Sequence, residues 1–446
     1  MRKYIIILVI ILLASLAGIT FLWKPRSGKV TGGDATFYIT NDIHYVSDLL
    51  TDHGEAFQYF YTKGDGKQVE YIDEIMDAFS EDISKNKPEV LIISGDLTSN
   101  GEKVNHLELA KKLKEIENGG TAVYVVPGNH DILNPYARSF SGDKQYVTDY
   151  ITKEDFSTIY SEFGYQEAIS RDQETLSYLA APTKEVWLLM LDTAIYEYNL
   201  GLGFPATDGR ISQNTLDWIS ECSKLAQEKG ATIVTDMHHN ILHHSEVIRT
   251  GYTLNDNEAA LKAFKENYLN LVLSGHIHIQ DISSDQRDTI PLYDIVTNAL
   301  SVNPHQYGIL QYNAKDKSFD YSTAKVDVEG WAVKNKEKDE NLLRFTEYAE
   351  EYFGSYAYNR MYGRLTDDLG LTEQEKITIS KTMALLNVRY FAGIENEAAD
   401  QILNSEGYQL MLGLPESFHS SYMKSIISDT DTDDNHLHIE AYHTSK

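Results

Sequence analysis

The amino-acid sequence predicts an α/β domain built from packed layers, followed by a smaller helical region. From Ala35 to about Val328, short runs rich in Val and Ile alternate with charged amphipathic stretches that are long enough for covering helices. This alternation is typical of layered α/β proteins. From about Lys338 onward, the apolar residues instead recur at helical spacing. A chain of 446 residues is long enough for two or three domains.

The first 33 residues are predicted to lie outside the folded domains. Residues 4–23 are apolar and uncharged, and about 20 such residues are enough for a transmembrane helix. The small residues at positions 15–17 also resemble the cleavage site of a secretory signal peptide. Because the apolar run continues past Ala17, we expect an uncleaved anchor, followed by a flexible linker over residues 27–34.

The charge and cysteine content of the chain restrict its partners and its location. The chain has 39 Lys and Arg against 67 Asp and Glu, a formal net charge of −28. This balance argues against a nucleic-acid polymer as a partner, because binding its phosphates requires clustered cations. The single cysteine, Cys222, excludes an internal disulfide and a metal site of several thiolates. We expect a bacterial single-pass membrane protein with its large domain outside the cytoplasm, or a secreted protein if the N-terminal segment is cleaved. No oligomeric state is predicted.

Five apolar runs are predicted to be buried strands of the α/β domain: residues 36–40, 90–94, 122–126, 232–235 and 271–274. Amphipathic stretches between these runs predict covering helices at residues 106–116, 215–227 and 259–268. Alternating apolar and polar segments between residues 290 and 326 predict further strands, which we expect to form a second sheet.

Each of the five runs is followed by side chains that bind metals in other proteins. In chain order these are Asp42 and His44, then Asp96, Asn129 and His238, then His276 and His278. Ligands of an open α/β sheet bind beyond the carboxyl ends of its strands, so we expect the five loops to converge. Carboxylate, amide and imidazole groups suit Mn, Fe and Zn. Seven ligands are too many for one ion but fit two ions that share a carboxylate, an arrangement used in phosphoryl transfer.

Five short motifs then give the sequence a resemblance to a known family. They are DIH from residue 42, GDLTSNGE from residue 95, GNHD from residue 128, MHH from residue 237 and GHIH from residue 275. Over about residues 37–278 the chain resembles the calcineurin-like metallophosphoesterase superfamily. Within it, the chain is similar to bacterial class III cyclic nucleotide phosphodiesterases with an extra C-terminal region. The resemblance implies a four-layer α/β/β/α sandwich, which we place at residues 34–335, between the N-terminal segment 1–33 and a small helical domain at residues 336–446.

The resemblance also implies which residues bind the two metal ions. The ligands of the first ion would be Asp42, His44 and His278. The ligands of the second ion would be Asn129, His238 and His276. Asp96 would bridge both ions, which would be divalent or trivalent Mn, Fe or Zn.

Several further residues near the motifs are candidates for supporting roles. The resemblance implies that His130 stands over the substrate phosphate, where it stabilises charge or protonates the leaving oxygen, and that Asp131 orients it. Asn100 is expected to support the loop around Asp96, because metal ligands usually have outer partners. His239 is expected beside the ligands or at the surface. His244 is a candidate for the substrate rim, although a loop histidine in a polar stretch is the simpler interpretation.

The C-terminal region is predicted to be a small helical module without a ligand cluster. Residues 341–365 have helical periodicity, and Thr372 with Glu375 forms a capping box before the next helix. Further helices are predicted at residues 396–403 and 416–427. Such a module would shape the substrate mouth, mediate dimerisation or cover an exposed sheet face, and the sequence does not decide among these roles.

These features predict a membrane-anchored, metal-dependent phosphoesterase that acts on a small substrate. We expect it to hydrolyse phosphodiester bonds of cyclic nucleotides by attack of a hydroxide held between two metal ions. A phosphatase or pyrophosphatase acting on nucleotides or cell-envelope phosphates has the same ligand set, because specificity lies in the loops around a site. A metal-stabilised surface scaffold without activity is a third hypothesis, although a scaffold has no need of a positioned acid such as His130.

Overall fold

The computed structural model describes residues 32–366, 369–429 and 433–441. The predicted membrane segment at residues 4–23 lies outside the described residues, so its anchoring role stays a prediction. Within the described ranges, no helix has both the length and the apolar character needed to cross a membrane.

Most strands of the described chain belong to two large sheets. The strands are β1 (Ala35–Thr40), β2 (Val90–Ser94), β3 (Ala122–Val126), β4 (Arg138–Ser141), β5 (Lys144–Val147), β6 (Ser170–Arg171), β7 (Tyr178–Ala180), β8 (Val186–Leu191), β9 (Thr232–Met237), β10 (Leu271–Ser274), β11 (Asp281–Asp285), β12 (Leu292–Val296), β13 (Gln306–Asn313), β14 (Ser318–Lys325) and β15 (His436–Glu440). The first sheet has the order β15-β14-β13-β1-β2-β3, and the second has the order β11-β12-β10-β9-β8-β7-β6. β4 and β5 form a separate hairpin. All five predicted strands are present, and each has a parallel neighbour in its sheet.

Helices connect the strands and then form the C-terminal region. They are α1 (Glu55–Lys63), α2 (Ile72–Asn86), α3 (Lys103–Asn118), α4 (Lys153–Ile159), α5 (Asn199–Leu202), α6 (Gln213–Lys229), α7 (Asn257–Glu266), α8 (Val328–Asn335), α9 (Phe345–Tyr362), α10 (Glu373–Phe391), α11 (Glu395–Leu403), α12 (Glu406–Gly413) and α13 (Phe418–Ser428). The sequence signals for helix ends are present in the structure. The capping box of Thr372 and Glu375 begins α10 as predicted, and α6 begins at the Ser212 cap and ends at Gly230 in the left-handed conformation.

The two sheets pack face to face, with helices on both outer surfaces. Alternate residues of β8 point to opposite sides of the second sheet: Leu188 and Met190 lie in the core shared with the first sheet, whereas Leu189 and Leu191 pack with α6 and α7. On the other side, α2 and α3 contribute apolar side chains to the cluster that contains β1, β2 and β3. The predicted four-layer α/β/β/α sandwich is therefore confirmed.

Two predictions about the strands were wrong. The segments between residues 290 and 326 do not form a sheet of their own: β12 joins β10 in the second sheet, whereas β13 and β14 join the first sheet, where β13 pairs with β1. Within the C-terminal region expected to be helical, residues 436–440 instead form β15, which pairs antiparallel with β14 at the edge of the first sheet. The chain therefore leaves the sandwich through α8, forms the helical region, and returns to the sandwich through β15.

The helical region packs directly on the segment that contains the last predicted ligands. Its apolar core includes Met383 of α10, Ile402 of α11 and Met423 of α13. The same cluster contains Ile277 and Ile279, which flank His278 in the chain. Helices of the C-terminal region thus support the loop after β10.

Candidate metal centre

The seven predicted ligands lie together at the carboxyl ends of strands from both sheets. The loops after β1, β2 and β3 come from the first sheet, and those after β9 and β10 come from the second. All seven side chains are buried except that of His278, which is 15 % exposed. One edge of the sandwich thus holds polar groups that are far apart in the sequence, as expected for loops at the carboxyl ends of parallel strands.

The first predicted ligand group is compact. The Oδ1 atom of Asp42 lies 3.3 Å from Nε2 of His278 and 3.8 Å from Nε2 of His44. The two imidazole Nε2 atoms are 3.4 Å apart. Asp42 Oδ1 is buried and has no hydrogen-bond partner among the described residues. A buried carboxylate oxygen without a donor, facing two imidazole nitrogens, fits a cation-binding site.

The second predicted ligand group lies beside the first and shares Asp96 with it. Ligand atoms of Asp96, His238 and His276 all lie within 4.8 Å of one another, and Asn129 Oδ1 is 3.1 Å from Nε2 of His238. Asp96 Oδ2 lies 3.5 Å from His238 Nε2 and 3.7 Å from His44 Nε2. Asp96 therefore stands between the two groups, where a bridging carboxylate would have to be.

Hydrogen bonds on the far side of the histidine rings fix which nitrogen faces the centre. Nδ1 of His238 lies 2.9 Å from the carbonyl oxygen of Ser94, so Nε2 is left facing Asp96. Nε2 of His276 lies 2.8 Å from the carbonyl oxygen of Gly251, which leaves Nδ1 for a ligand. Metal-binding histidines generally donate their second N–H to such an acceptor. These contacts fit a metal centre with nitrogen and oxygen ligands.

The backbone of the ligand loops is held in an uncommon conformation. Asp42, His44, Asp96, His276 and His278 all have positive φ angles, between 47° and 72°. Non-glycine residues rarely adopt such angles, and clusters of them occur at functional sites. Hydrogen bonds between the loops hold them in place, because the N–H of Asp42 donates to Gly95 and that of His44 donates to the carbonyl of Asp96.

Gly128 is the residue that permits the close approach of two ligand loops. A Cβ atom at this position would lie 2.2 Å from Oδ1 of Asp96. The glycine of the GNHD motif is therefore required by the position of the Asp96 carboxylate.

His130 lies at the opening of the centre, but Asp131 has a different role from the predicted one. Nδ1 of His130 lies 2.7 Å from the carbonyl oxygen of Ser99, and its ring meets that of His44 edge-on at 5.0 Å. The Asp131 carboxylate instead accepts hydrogen bonds from the backbone N–H groups of Leu97, Thr98 and Gly128. The carbonyl of Ser99 therefore orients the ring, while Asp131 ties the loop after β2 to the loop after β3.

The electrostatics of the centre follow from burial and from the closeness of its charges. Burial acts to lower the pKa of His238, but the adjacent Asp96 carboxylate outweighs it and raises the pKa to about 9. Burial acts to raise the pKa of Asp96, yet the surrounding histidines hold it well below the usual range. Burial lowers the pKa of His276 to about 3, so this ring is neutral and able to bind a metal.

The three residues predicted to have supporting roles lie in different environments. Asn100 is buried in the loop around Asp96, and its N–H donates to Glu102. His239 is buried, and its ring is tilted against that of His276 with the ring centroids 4.5 Å apart. Its Nδ1 atom lies 2.8 Å from the hydroxyl of Thr193, so His239 is a packing neighbour of a predicted ligand and not a surface residue.

His244 does not lie on a substrate rim. It is buried between two carboxylates, at hydrogen-bonding distance from Asp281 and 3.2 Å from Asp294. Burial opposes protonation, but these two carboxylates raise the pKa of His244 to about 10. The prediction was wrong because both partners come from strands of the second sheet that are distant in the sequence.

Sequence reasoning missed other residues that surround the centre. Tyr252 packs its ring against that of His276 at 4.9 Å. Burial lowers the pKa of both His44 and His130, and the positive charge of Lys67 lowers both further. Neither residue belongs to a motif, and only the fold brings them to this edge of the sandwich.

Two family models match the chain. Residues 35–280 match the model of the calcineurin-like phosphoesterase. Residues 327–433 match the model of the C-terminal domain of cyclic nucleotide phosphodiesterase. No protein of curated function matches the chain.

Several solved structures are similar to the chain at low sequence identity. A dimetal phosphatase from Danio rerio is 13 % identical, with a TM-score of 0.45, over 66 % of this chain and 96 % of that one. GAP50, the anchor in the inner membrane complex of Plasmodium, is 10 % identical, with a TM-score of 0.36, over 66 % and 85 % of the two chains. A putative 5′-nucleotidase from Staphylococcus aureus is 12 % identical, with a TM-score of 0.36, over 62 % and 50 %.

Proposed function

Because the chain belongs to the calcineurin-like phosphoesterase family, we propose that it is a two-metal phosphodiesterase whose substrates are cyclic nucleotides. The position of Asp96 supports the two-metal site most strongly, since one carboxylate stands between two groups of buried ligands. The match of residues 327–433 to the C-terminal domain of cyclic nucleotide phosphodiesterase supports the choice of substrate.

In this proposal, residues of the centre bind the metal ions, orient the Asp96 carboxylate and protonate the leaving oxygen. Metal ions bound there would lower the pKa of water and stabilise negative charge on the phosphate oxygens. Asp96 is positioned for its bridging role by the backbone N–H of His130, which donates to Oδ1 at 2.8 Å and leaves Oδ2 facing the histidines. Nδ1 of His130 is engaged by Ser99, so Nε2 is the atom that would hold the proton for the leaving oxygen.

The proposal is tested with the full-length protein in detergent, loaded with Mn²⁺. We expect a higher kcat/KM for bis-p-nitrophenyl phosphate than for p-nitrophenyl phosphate, and turnover of 3′,5′-cyclic nucleotides. Asp96→Asn should lower these rates by about 10³-fold or more, because the bridging position loses its charge. Asp48→Asn, at a carboxylate that is 76 % exposed and is not a predicted ligand, is the matched control.

A preference for the monoester would instead identify the chain as a phosphatase. Bound metal without hydrolysis of either compound would contradict both enzymatic assignments and favour the scaffold.

We also propose that the enzyme acts outside the cytoplasm, held by the apolar segment at residues 4–23. In bacterial cells that make the protein, added protease should then degrade the catalytic domain without lysis. A domain that is protected until lysis would contradict this location.

A further inference from the structure

Helix α9 of the C-terminal region contacts the loop at residues 64–67. The hydroxyl of Tyr356 donates to Oδ1 of Asp65 at 3.2 Å, and Nη1 of Arg360 lies 3.4 Å from the same oxygen. The loop approaches so closely that a Cβ atom on Gly66 would lie 2.7 Å from the ring of Phe353. The loop and the helix therefore form one continuous wall.

This wall lies beside the ligands. Met361, which follows Arg360 in α9, packs in one apolar cluster with Ile277, the residue between His276 and His278, and with Tyr252, whose ring lies 4.9 Å from that of His276. Tyr422 of α13 packs against the same cluster. Arg360 thus belongs to the part of α9 that packs beside the last predicted ligands.

Arg360 has the exposure and the contacts of a recognition group. Its side chain is 60 % exposed, and its guanidinium lies over the ring of Tyr356, 6.0 Å from the ring centroid. Nη1 is used by Tyr356 and Asp65. A planar guanidinium in an aromatic setting binds nucleobases by stacking and by its remaining N–H donors.

Lys67, in the loop at residues 64–67, is a second cation near the metal centre. It is partly exposed, and it forms no salt bridge with any carboxylate of the described residues. The next residue, Gln68, donates its N–H to the carbonyl oxygen of Ser301 at 2.7 Å, and the Ser301 hydroxyl donates to the carbonyl oxygen of Asp42 at 2.7 Å, so Lys67 lies in a loop beside the predicted metal ligands. A lysine in this position binds phosphate oxygens as a point charge.

We propose that Arg360, held by Asp65 and Tyr356, recognises the nucleoside portion of the substrate, while Lys67 binds its phosphate. This assignment rests on the proposed function, and it gives the C-terminal region a role in choosing the substrate. A compound with a phosphate but no base would use Lys67 and the metal centre alone, whereas a nucleotide would also use Arg360.

Titration calorimetry on the Mn²⁺-loaded, full-length protein tests the assignment with adenosine monophosphate and inorganic phosphate as probes. The wild type should bind the nucleotide more tightly than phosphate. Arg360→Ala should weaken nucleotide binding by about 10-fold, equal to ~1.4 kcal/mol, and change phosphate binding by less than about two-fold. Lys67→Ala should weaken both probes by about the same factor. Arg344→Ala, at an exposed arginine that begins the same helical segment and pairs with Glu347 and Glu351, is the control and should change neither.

Arg360→Lys separates recognition from a structural role. If Arg360 only joins α9 to Asp65, lysine keeps the ion pair and restores nucleotide binding, and the proposal is wrong. If the planar guanidinium contacts the base, Arg360→Lys binds the nucleotide as weakly as Arg360→Ala does. If Arg360→Ala weakened the binding of both probes by the same factor, the proposal would also be wrong. A wild-type protein that hydrolyses no phosphodiester contradicts the proposed function alone, because the binding comparison does not require turnover.

Discussion

His130 acts on the site through two separate groups, its backbone and its ring. The backbone N–H holds Asp96 Oδ1, and the ring stands at the opening with Nδ1 engaged by Ser99. A substitution of the side chain removes only the second group. The two contributions can therefore be separated by mutation.

We predict that His130→Ala keeps both metal ions and lowers kcat by about 10²–10³-fold, the usual contribution of a positioned acid. Metal content is measured by elemental analysis and kcat with bis-p-nitrophenyl phosphate. His53→Ala, at an exposed histidine, serves as the control. Loss of both ions from His130→Ala would show that the ring is needed to hold the ligands, contrary to this assignment.

At this scale the sequence predicted which side chains meet at one edge of the sandwich better than it predicted the neighbours of those side chains. The ligands follow buried strands in short motifs, so their convergence at one edge depends only on the α/β pattern. The partners of Asp131 and His244 could not be predicted in the same way. Asp131 accepts hydrogen bonds from backbone N–H groups of the loop after β2, and His244 is enclosed by Asp281 and Asp294 of the second sheet. Such contacts depend on how sheets pack, which local motifs do not encode.

At the scale of elements, the first residue of helix α11 carries a buried carboxyl group that lies near other acidic side chains. Glu395 is 2 % exposed, and its Oε2 atom has no hydrogen-bond partner among the described residues. Burial, and then the charge of Asp434, raise the pKa of Glu395 to about 9. Burial, and then Asp281, also raise the pKa of Asp434 to about 8. The N-terminus of α11 thus excludes water from carboxyl groups that would be charged in the unfolded chain.

These shifts predict how stability depends on pH. A glutamate ionises near pH 4.3 in the unfolded chain, whereas Glu395 keeps its proton up to about pH 9 in the fold. The folded protein therefore binds more protons than the unfolded chain between these values, and its stability falls as the pH rises through this window.

We predict that Glu395→Gln raises the melting temperature at pH 8 by about 2–4 °C, equal to ~1 kcal/mol, and has little effect at pH 5. Differential scanning fluorimetry at the two pH values measures the change. Glu397→Gln, exposed on the same helix, should change neither value. A Glu395→Gln protein that is less stable than the wild type at pH 8 would show that the carboxylate is charged and needed.

The elements were predicted unevenly, for identifiable reasons. The capping box fixed the start of α10, because its hydrogen bonds are local. β15 was missed because the sequence HLHIE is short and mostly exposed, and it becomes a strand only by pairing with β14. The strands between residues 290 and 326 were expected in a sheet of their own, because alternation shows that a strand has one buried face but not which neighbour it pairs with.

At the scale of the whole molecule, the predicted metal centre joins the two sheets. Asp42 and Asp96 come from the first sheet, while His238, His276 and His278 come from the second. Bound ions would thus link both halves of the sandwich and neutralise buried carboxylates. A ligand that binds only the folded state stabilises it by mass action.

We predict that removing metal with a chelator lowers the melting temperature of the wild type by about 5 °C or more, since ions at 100 times their Kd contribute ~2.7 kcal/mol. Adding Mn²⁺ back should restore it. Asp96→Asn, which loses the bridging ligand, should show a smaller shift. An unchanged melting temperature in the wild type would mean that the ligands do not hold ions across the sheets.

The return of the chain through β15 has a consequence for how the protein is made. β14 and β15 are neighbours in the first sheet, but the entire helical region lies between them in the sequence. During synthesis on the ribosome, β14 therefore emerges with an open hydrogen-bonding edge that nothing covers until the helices have followed. Exposed strand edges promote aggregation, so a chain interrupted within the helical region would be released with this edge bare. Strand β15 covers this edge, and it can do so only after the whole helical region has been translated.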